Sequence, residues 1–279
     1  SQQKKIIASL LEKGLAYRCY VTDEELQKMR DYQSNSGEAP RYDNRHRNLT
    51  EAQENKFINE GRTAVIRFQI NDEEFVHWND MIRGEMQWSC KDLGGDMVIA
   101  RRASPNEIGD PLYNLVVVVD DSAMGITHVI RGEDHISNTP KQIHIYSALD
   151  WEIPKFAHLP MILGSDGKRL SKRHGAVGTQ TYRELGYLPE TLINYLALLG
   201  WNPGTEEEVF NFEFLMDNFS LEKINKKAAV FDNKKLDWLS GQHIMKSESE
   251  ELLDSIRSIK PDWAPNGLSD EYLFSIISH

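Results

Sequence analysis

Residues 164–175 read Gly-Ser-Asp-Gly-Lys-Arg-Leu-Ser-Lys-Arg-His-Gly, four fixed cations and a histidine in a loop with glycine at 164, 167 and 175. Such a loop suits the grip on a polyphosphate. Glycine lets backbone amides approach an anion, and Lys168, Arg169, Lys172 and Arg173 can neutralise charge as a phosphate leaves. Taken alone, a basic turn of this kind also serves as a solvated surface loop or a sorting signal. Around it, strands alternate with helices. Residues 126–131 read as a strand, and Thr139-Pro140 as the cap and first position of a helix running to Leu149. Pro189 opens a further helix that Gly200 closes, with Leu192, Tyr195, Leu196 and Leu199 on its buried face. This alternation predicts an α/β nucleotide-binding fold with ligands at the carboxyl ends of strands. Arg131 closes one such strand and Gly132-Glu133-Asp134-His135 follows it, so charged groups gather where the crevice lies.

The chain as a whole is acidic. Its 279 residues carry 43 Asp plus Glu against 32 Lys plus Arg, a formal net charge of −11, so any contact with nucleic acid has to be local. That length, with 40% hydrophobic residues, predicts two or three domains. No stretch approaches the roughly 20 apolar residues of a membrane span. The opening Ser-Gln-Gln-Lys-Lys-Ile-Ile lacks the apolar core of a signal peptide. Cys19 and Cys90 alone exclude a disulfide framework and suit a reducing compartment, so a cytoplasmic location is expected.

Ile6, Ile7, Leu10 and Leu11 fall at helical spacing and Gly14 stops the pattern, so the chain opens inside a helix with no strand before it and reads as a piece of a larger fold. Thr22 with Glu25 predicts a capped helix through about Met29, and Thr50 with Gln53 a second. Residues 64–70, 75–78, 85–88 and 97–101 are short alternating runs that read as a small antiparallel insertion. Residues 112–119 are valine-rich, a strand by propensity, although 113–121 would equally make a buried helix. Beyond Trp201 the segments are short, amphipathic and helical, which predicts a separate domain.

At this point the residues carry a resemblance. His128-Val129-Ile130-Arg131-Gly132-Glu133-Asp134-His135, Asn138-Thr139-Pro140-Lys141-Gln142 and residues 168–175 together resemble the bacterial-type glutamyl-tRNA synthetases. So do Tyr187-Leu188-Pro189-Glu190, Asn194-Tyr195-Leu196-Ala197-Leu198-Leu199-Gly200-Trp201, Val230-Phe231-Asp232 and Lys235-Leu236-Asp237-Trp238. The likeness covers nearly the whole chain. Residues 169–173, Arg-Leu-Ser-Lys-Arg, resemble the second signature of class I synthetases, usually Lys-Met-Ser-Lys-Ser.

The resemblance implies a Rossmann-like class I core lacking its N-terminal part, with an inserted α+β acceptor-binding domain and a mainly helical stem-contact region. Residues 1–15 would be a remnant of the Rossmann-fold helix and 16–110 the insertion. Residues 111–165 would be the second half of the core, 166–245 the signature loop and stem-contact domain, and 246–279 the start of a helical anticodon-binding domain. The implied reaction is ATP-dependent activation of L-glutamate followed by transfer to tRNA(Glu) in protein synthesis, with Mg2+ accompanying ATP, by a monomer.

The resemblance also assigns roles. Lys172, Ser171 and Arg169 become catalytic, with Lys172 on the ATP phosphates. Leu170, Asp134, His135 and Lys168 join the nucleotide site. Arg131 would hold the glutamate side-chain carboxylate, where a planar guanidinium can bind bidentately and lysine cannot; alone, a strand-end arginine would pair with Glu133. Tyr113 would line the amino-acid pocket, although by itself it reads as a half-buried core tyrosine, and Asp134 and His135 as caps of the next helix. Arg41, Arg45, Arg47, Arg83 and Arg101 are expected to meet tRNA phosphates. Trp78 and Trp88 could stack bases, though tryptophan on a small sheet is more often core.

Three departures stand out. Val21, His46 and Asn48 occupy positions where zinc-bearing members carry ligands, leaving Cys19 and His46, and two ligands cannot close a structural zinc site, so no zinc is expected. The first class I signature, His-Ile-Gly-His or a close variant, is missing. Only a few helices follow Trp238. A glutamate-specific tRNA ligase represented by an inactive fragment is therefore the expected function. A noncatalytic tRNA-binding module of the same fold and glutaminyl-tRNA synthetase are the alternatives.

Overall fold

The computed structural model describes residues 1–170, 178–259 and 269–277. The chain divides into two compact units, Ser1–His158 and Leu159–His279.

In the first unit, helix α1 (Gln2–Glu12) starts at Ser1, buries Ile7 and Leu10, and is followed by Gly14 at φ 69°. Strand β1 (Ala16–Cys19) leads to α2 (Asp23–Asn35) and α3 (Glu51–Asn59), and the capping boxes of Thr22–Glu25 and Thr50–Gln53 both form. Helix α2 runs past the expected end at Met29 because Gln33 is buried, its amide tied to the Arg41 backbone N–H and C=O at 3.0 Å each. A polar turn with no apolar signal is thus held helical by tertiary hydrogen bonds.

Four strands follow: β2 (Ala64–Phe68), β3 (Phe75–Asp80), β4 (Gly84–Ser89) and β5 (Met97–Ala103). Their pairings with one another are antiparallel, as the alternation predicted, but they serve two sheets. Strand β2 lies between β1 and β5, whereas the β3–β4 hairpin joins β6 (His128–Gly132) and β7 (Lys155–Leu159) in the order β4-β3-β7-β6. The β3–β7 pair is parallel, with Asp80 opposite Phe156. That single crossing brings Asp80 to the sheet that carries Arg131.

The valine run is helix α4 (Tyr113–Ala123). Leu115, Val118 and Val119 recur at helical spacing and are fully buried against α1 and α5 (Thr139–Ala148), so packing of one face outweighs β propensity. Gly125 at φ 66° closes α4, with the Ile126 N–H donating to the Asp121 carbonyl; this delays β6 to His128, two residues later than predicted. Gly95, at φ 83°, is required for a second reason: a Cβ there would run into the Tyr42 carbonyl.

In the second unit, β8 (Ile162–Leu163) pairs in parallel with β9 (Ala229–Val230). The helices are α6 (Thr179–Glu184), α7 (Pro189–Leu198), α8 (Phe212–Asn218), α9 (Asn233–Lys246), α10 (Ser249–Ile259) and α11 (Asp270–Ile277). Tyr195, Leu199, Leu236 and Leu239 form the core. Helix α7 buries Tyr195 and Leu199 as expected and packs Leu192 against the core, but one member of the expected face, Leu196, lies outside it. Leu196 is 54% exposed, while Asn194 is fully buried. The Asn194 amide donates to the Glu208 carbonyl, and its oxygen accepts the Phe210 N–H and meets His243 Nε2, each at 2.9 Å. A buried amide with three partners outweighs one leucine.

Candidate active site

Arg131 is the penultimate residue of strand β6, and the 3-10 turn Glu133–Asn138 carries the chain into α5. Arg131 is half-buried and donates through Nε to His158 Nε2 (3.2 Å) and through Nη2 to Thr139 Oγ1 (2.8 Å) and the His135 carbonyl (3.4 Å). Its guanidinium carbon lies 5.6 Å from the Phe156 ring centre. Glu133, the acid nearest in sequence, pairs with Arg83 instead. Among the described residues no carboxylate forms an ion pair with Arg131. Burial lowers its pKa, an effect that Tyr113 and Asp121 oppose.

Thr139 was expected to cap α5. Asn138 holds the cap position instead, and the Thr139 hydroxyl turns to Arg131. Three residues singled out in the sequence do converge: Arg131, His135 and Tyr113, whose ring lies 6.0 Å from that of His135 and is 50% exposed. Asp134 is exposed, and His135 Nδ1 lies 3.2 Å from Asn138 Nδ2. Beneath them Tyr146 is buried with no hydrogen-bond partner for its hydroxyl, and burial raises its pKa to about 12, with Asp121 adding to the shift.

Sequence reasoning missed Asp80 and His158, which lie 78 residues apart and are both fully buried at their side chains. Asp80 Oδ2 sits 2.5 Å from His158 Nδ1, and Oδ1 accepts the backbone N–H groups of Ile82, Arg83 and His158. No local motif announces either residue. The only available signal was the acid closing β3 before a turn.

Burial alone would raise the Asp80 pKa. The hydrogen bonds from the His158 ring and the three amides outweigh it and bring the pKa down to about 2. The folded value lies below the unfolded one of roughly 3.9, so this stabilisation, about 2–3 kcal/mol, is complete above about pH 5 and is lost progressively as pH falls through about 2. The unfolding free-energy gap between wild type and Asp80→Asn should therefore shrink across that window in urea titrations. A gap constant from pH 7 to pH 2 would refute the assignment.

Lys168, Arg169 and Leu170 belong to the second unit. Gly167, at φ 73°, turns the chain after β8. The Gly164 N–H donates to the Lys168 carbonyl and the Leu170 N–H to the Ile162 carbonyl, leaving Lys168 and Arg169 exposed. Ser171 and Lys172 lie outside the described residues.

Of the arginines expected at tRNA, Arg41 pairs with Asp72, Arg45 with Asp43, Arg83 with Glu133, and Arg47 forks onto the buried Asp96; Arg101 is exposed. Trp78 packs against the main core, and the indole N–H groups of Trp78 and Trp88 are buried without partners. Cys19 and His46 are engaged otherwise than by metal. Cys19 Sγ is 3.3 Å from the Tyr42 hydroxyl, and His46 Nδ1 accepts the Tyr20 N–H at 3.1 Å. Among the described residues no three His, Cys, Asp or Glu side chains gather as a metal site, and no helix is long and apolar enough to cross a membrane.

The sequence profile of the family described as tRNA synthetases class I (E and Q), catalytic domain, matches residues 1–238. The chain belongs to this family. As a class I synthetase it is 55% identical over 265 residues to a glutamate–tRNA ligase of Prochlorococcus marinus (strain MIT 9211), a match covering 94% of this chain and 56% of the relative. It is 55% identical over 268 residues to that of Synechococcus sp. (strain CC9902), covering 96% and 56%. The chain thus spans little more than half the length of these relatives. Among solved structures, a glutamate tRNA ligase from Elizabethkingia meningosepticum CCUG26117 in complex with its amino acid superposes with a TM-score of 0.80 at 31% identity, covering 99% of this chain and 59% of that one. The α/β class I core expected from the sequence is borne out.

Proposed function

We propose that the protein is a glutamate–tRNA ligase, acting on L-glutamate, ATP and tRNA(Glu). The observation that carries this reading is Arg131, a half-buried cation that donates to the neutral acceptors His158, Thr139 and the His135 carbonyl, is met by the Tyr113 side chain, and feels Asp121 and Asp134 without forming an ion pair with either. A charge removed from water without a counterion favours an anionic ligand to complete it. The side-chain carboxylate of glutamate meets that need, and the amide of glutamine does not. Tyr113 and His135 stand beside it as pocket wall, with Asp134 and His135 towards the nucleotide.

In the reaction, a carboxylate oxygen of glutamate attacks the α-phosphorus of ATP, the α–β phosphoanhydride bond breaks and pyrophosphate departs. The terminal adenosine hydroxyl of tRNA then attacks the activated acyl carbon and AMP leaves. Pyrophosphate departure concentrates charge that Lys172, with Lys168 and Arg169, would offset by position and charge alone. Ser171 and Leu170 complete that loop. Mg2+ would arrive with the nucleotide phosphates; no described residues form a site for it and no step is routed through it. Residues 16–110 would meet the acceptor end of the tRNA, with Arg101 as phosphate partner and Arg41, Arg45, Arg47 and Arg83 contributing only by exchanging their carboxylates for phosphate. The remaining boundaries are those set out above, in a monomeric cytoplasmic protein.

The test is exchange of labelled pyrophosphate into ATP by the protein at its natural length, with tRNA and either L-glutamate or L-glutamine. Exchange that requires glutamate is the expected result. Exchange with glutamine instead would assign the sister enzyme, and none with either would leave a noncatalytic tRNA-binding protein.

A further inference from the structure

The contacts of Arg131 follow a pattern that its binding role alone does not demand. Its Nε and Nη2 hydrogens, which share one edge of the guanidinium plane, are both taken from inside the protein. His158 Nε2 receives Nε–H at 3.2 Å and Thr139 Oγ1 receives Nη2–H at 2.8 Å. These two acceptors are themselves 3.1 Å apart, and both side chains are fully buried. Asp80, 2.5 Å from His158 Nδ1, places the imidazole proton on Nδ1, so that Nε2 presents its lone pair to the arginine. Were Nε2 protonated, two N–H donors would face each other. The backbone N–H groups of Ile82, Arg83 and His158 hold the carboxylate still.

We propose that Asp80, His158 and Thr139 form a clamp that fixes the guanidinium plane of Arg131, closing its Nε–Nη2 edge and turning the rest of the guanidinium to a carboxylate ligand. The placement of the acid is the instructive part. A carboxylate touching Arg131 would neutralise it and compete with the ligand. One residue removed, Asp80 orients the acceptor while the arginine keeps its charge for the substrate. His158 and Asp80 are positioning residues, since they act through Arg131. The inference rests on the reading of Arg131 as the group that holds the glutamate side chain.

The test compares kcat/KM for L-glutamate and L-glutamine in pyrophosphate exchange, using the protein at its natural length. In His158→Leu the glutamate value should fall on the order of 10- to 100-fold, mainly through KM, because a misplaced binding group costs about that much. The glutamine value should change little, so discrimination narrows. His158→Gln, whose side-chain oxygen can still accept Nε–H, should recover much of it, and Thr139→Val should reproduce part of the loss. A purely structural role would lower both substrates alike and show no rescue by glutamine at 158. In the unmodified protein, 15N resonances should place the His158 proton on Nδ1.

An unchanged glutamate-to-glutamine ratio in folded His158→Leu, or a proton on Nε2, overturns the clamp. Arg131→Ala tells the two failures apart. If it abolishes discrimination while the His158 variants do not, only the clamp is wrong; if it leaves discrimination intact, the reading of Arg131 fails and the clamp with it.

Discussion

Arg131→Gln is expected to lower kcat/KM for L-glutamate by roughly two to four orders of magnitude, the equivalent of about 3–5 kcal/mol for leaving one member of a buried charge pair alone. The neutral amide keeps hydrogen-bond donors in place but removes the charge. Glutamine as substrate should lose far less, so the variant should discriminate poorly between the two amino acids. Arg131→Lys should not restore the loss, because an ammonium offers no planar edge for His158 and Thr139 to hold. Steady-state kinetics with both amino acids, alongside thermal melts to confirm folding, decide the matter. A loss equal for glutamate and glutamine would remove Arg131 from substrate recognition and return it to a structural strand end.

The second large effect needs no substrate. Asp96 is fully buried at its side chain and is the hub of the β1-β2-β5 region. Its Oδ1 accepts from Arg47 Nη2 at 2.5 Å and from the Ile70 N–H at 2.8 Å. Its Oδ2 accepts from Arg47 Nε at 2.9 Å and from the Tyr17 hydroxyl at 2.7 Å. Its backbone is held too, the carbonyl by Arg67 and the N–H by Asn44. Burial, reinforced by the bond to Asp96, pushes the Tyr17 pKa well above its usual range, so this hydroxyl stays a donor.

Asp96→Ala would strand a guanidinium, a phenol and an amide together. The expected cost is about 3–5 kcal/mol, a fall in melting temperature on the order of 10 °C for a unit of this size. Tyr17→Phe, which removes one donor and no charge, should cost about 1.5–3 kcal/mol, the range of a hydrogen bond to a charged group. Thermal and urea unfolding measure both. Two variants of equal stability would show that Asp96 is not the hub.

The same residue shows where sequence reasoning reached and where it stopped. Arg47 was expected at an RNA phosphate because the family resemblance places it in the segment that meets the acceptor end of tRNA. In the fold its fork meets a carboxylate 49 positions later in the chain, and nothing near Arg47 announces Asp96. Glu133 and Arg83 behave alike, drawn together from 50 positions apart, which frees Arg131 from the neighbour that proximity in sequence would give it. Long-range ion pairs carry no local periodicity, so composition over- or under-counts the cations left for a ligand.

Local features were more legible. The Thr22 and Thr50 capping boxes formed because each needs only four consecutive residues. Where one local rule opposed another, packing decided. The valine run became α4 once Leu115, Val118 and Val119 had a core to face, and α7 turned Asn194 inward because three polar partners awaited it. Arg131, His135 and Tyr113 were found by motif and were brought together. Their supports, Asp80 and His158, were not found, since each is an ordinary residue until β3 and β7 align.

By itself, then, the sequence determined the α/β class, the capped helices, the antiparallel β3–β4 hairpin and the cation at the end of β6, because these depend on short-range spacing and on residue chemistry. Tertiary structure alone decided which carboxylates neutralise which arginines. It left Arg131 among neutral acceptors, with Asp80 one residue removed, and that arrangement depends on side-chain distances between segments that only the folded sheets bring within hydrogen-bond reach.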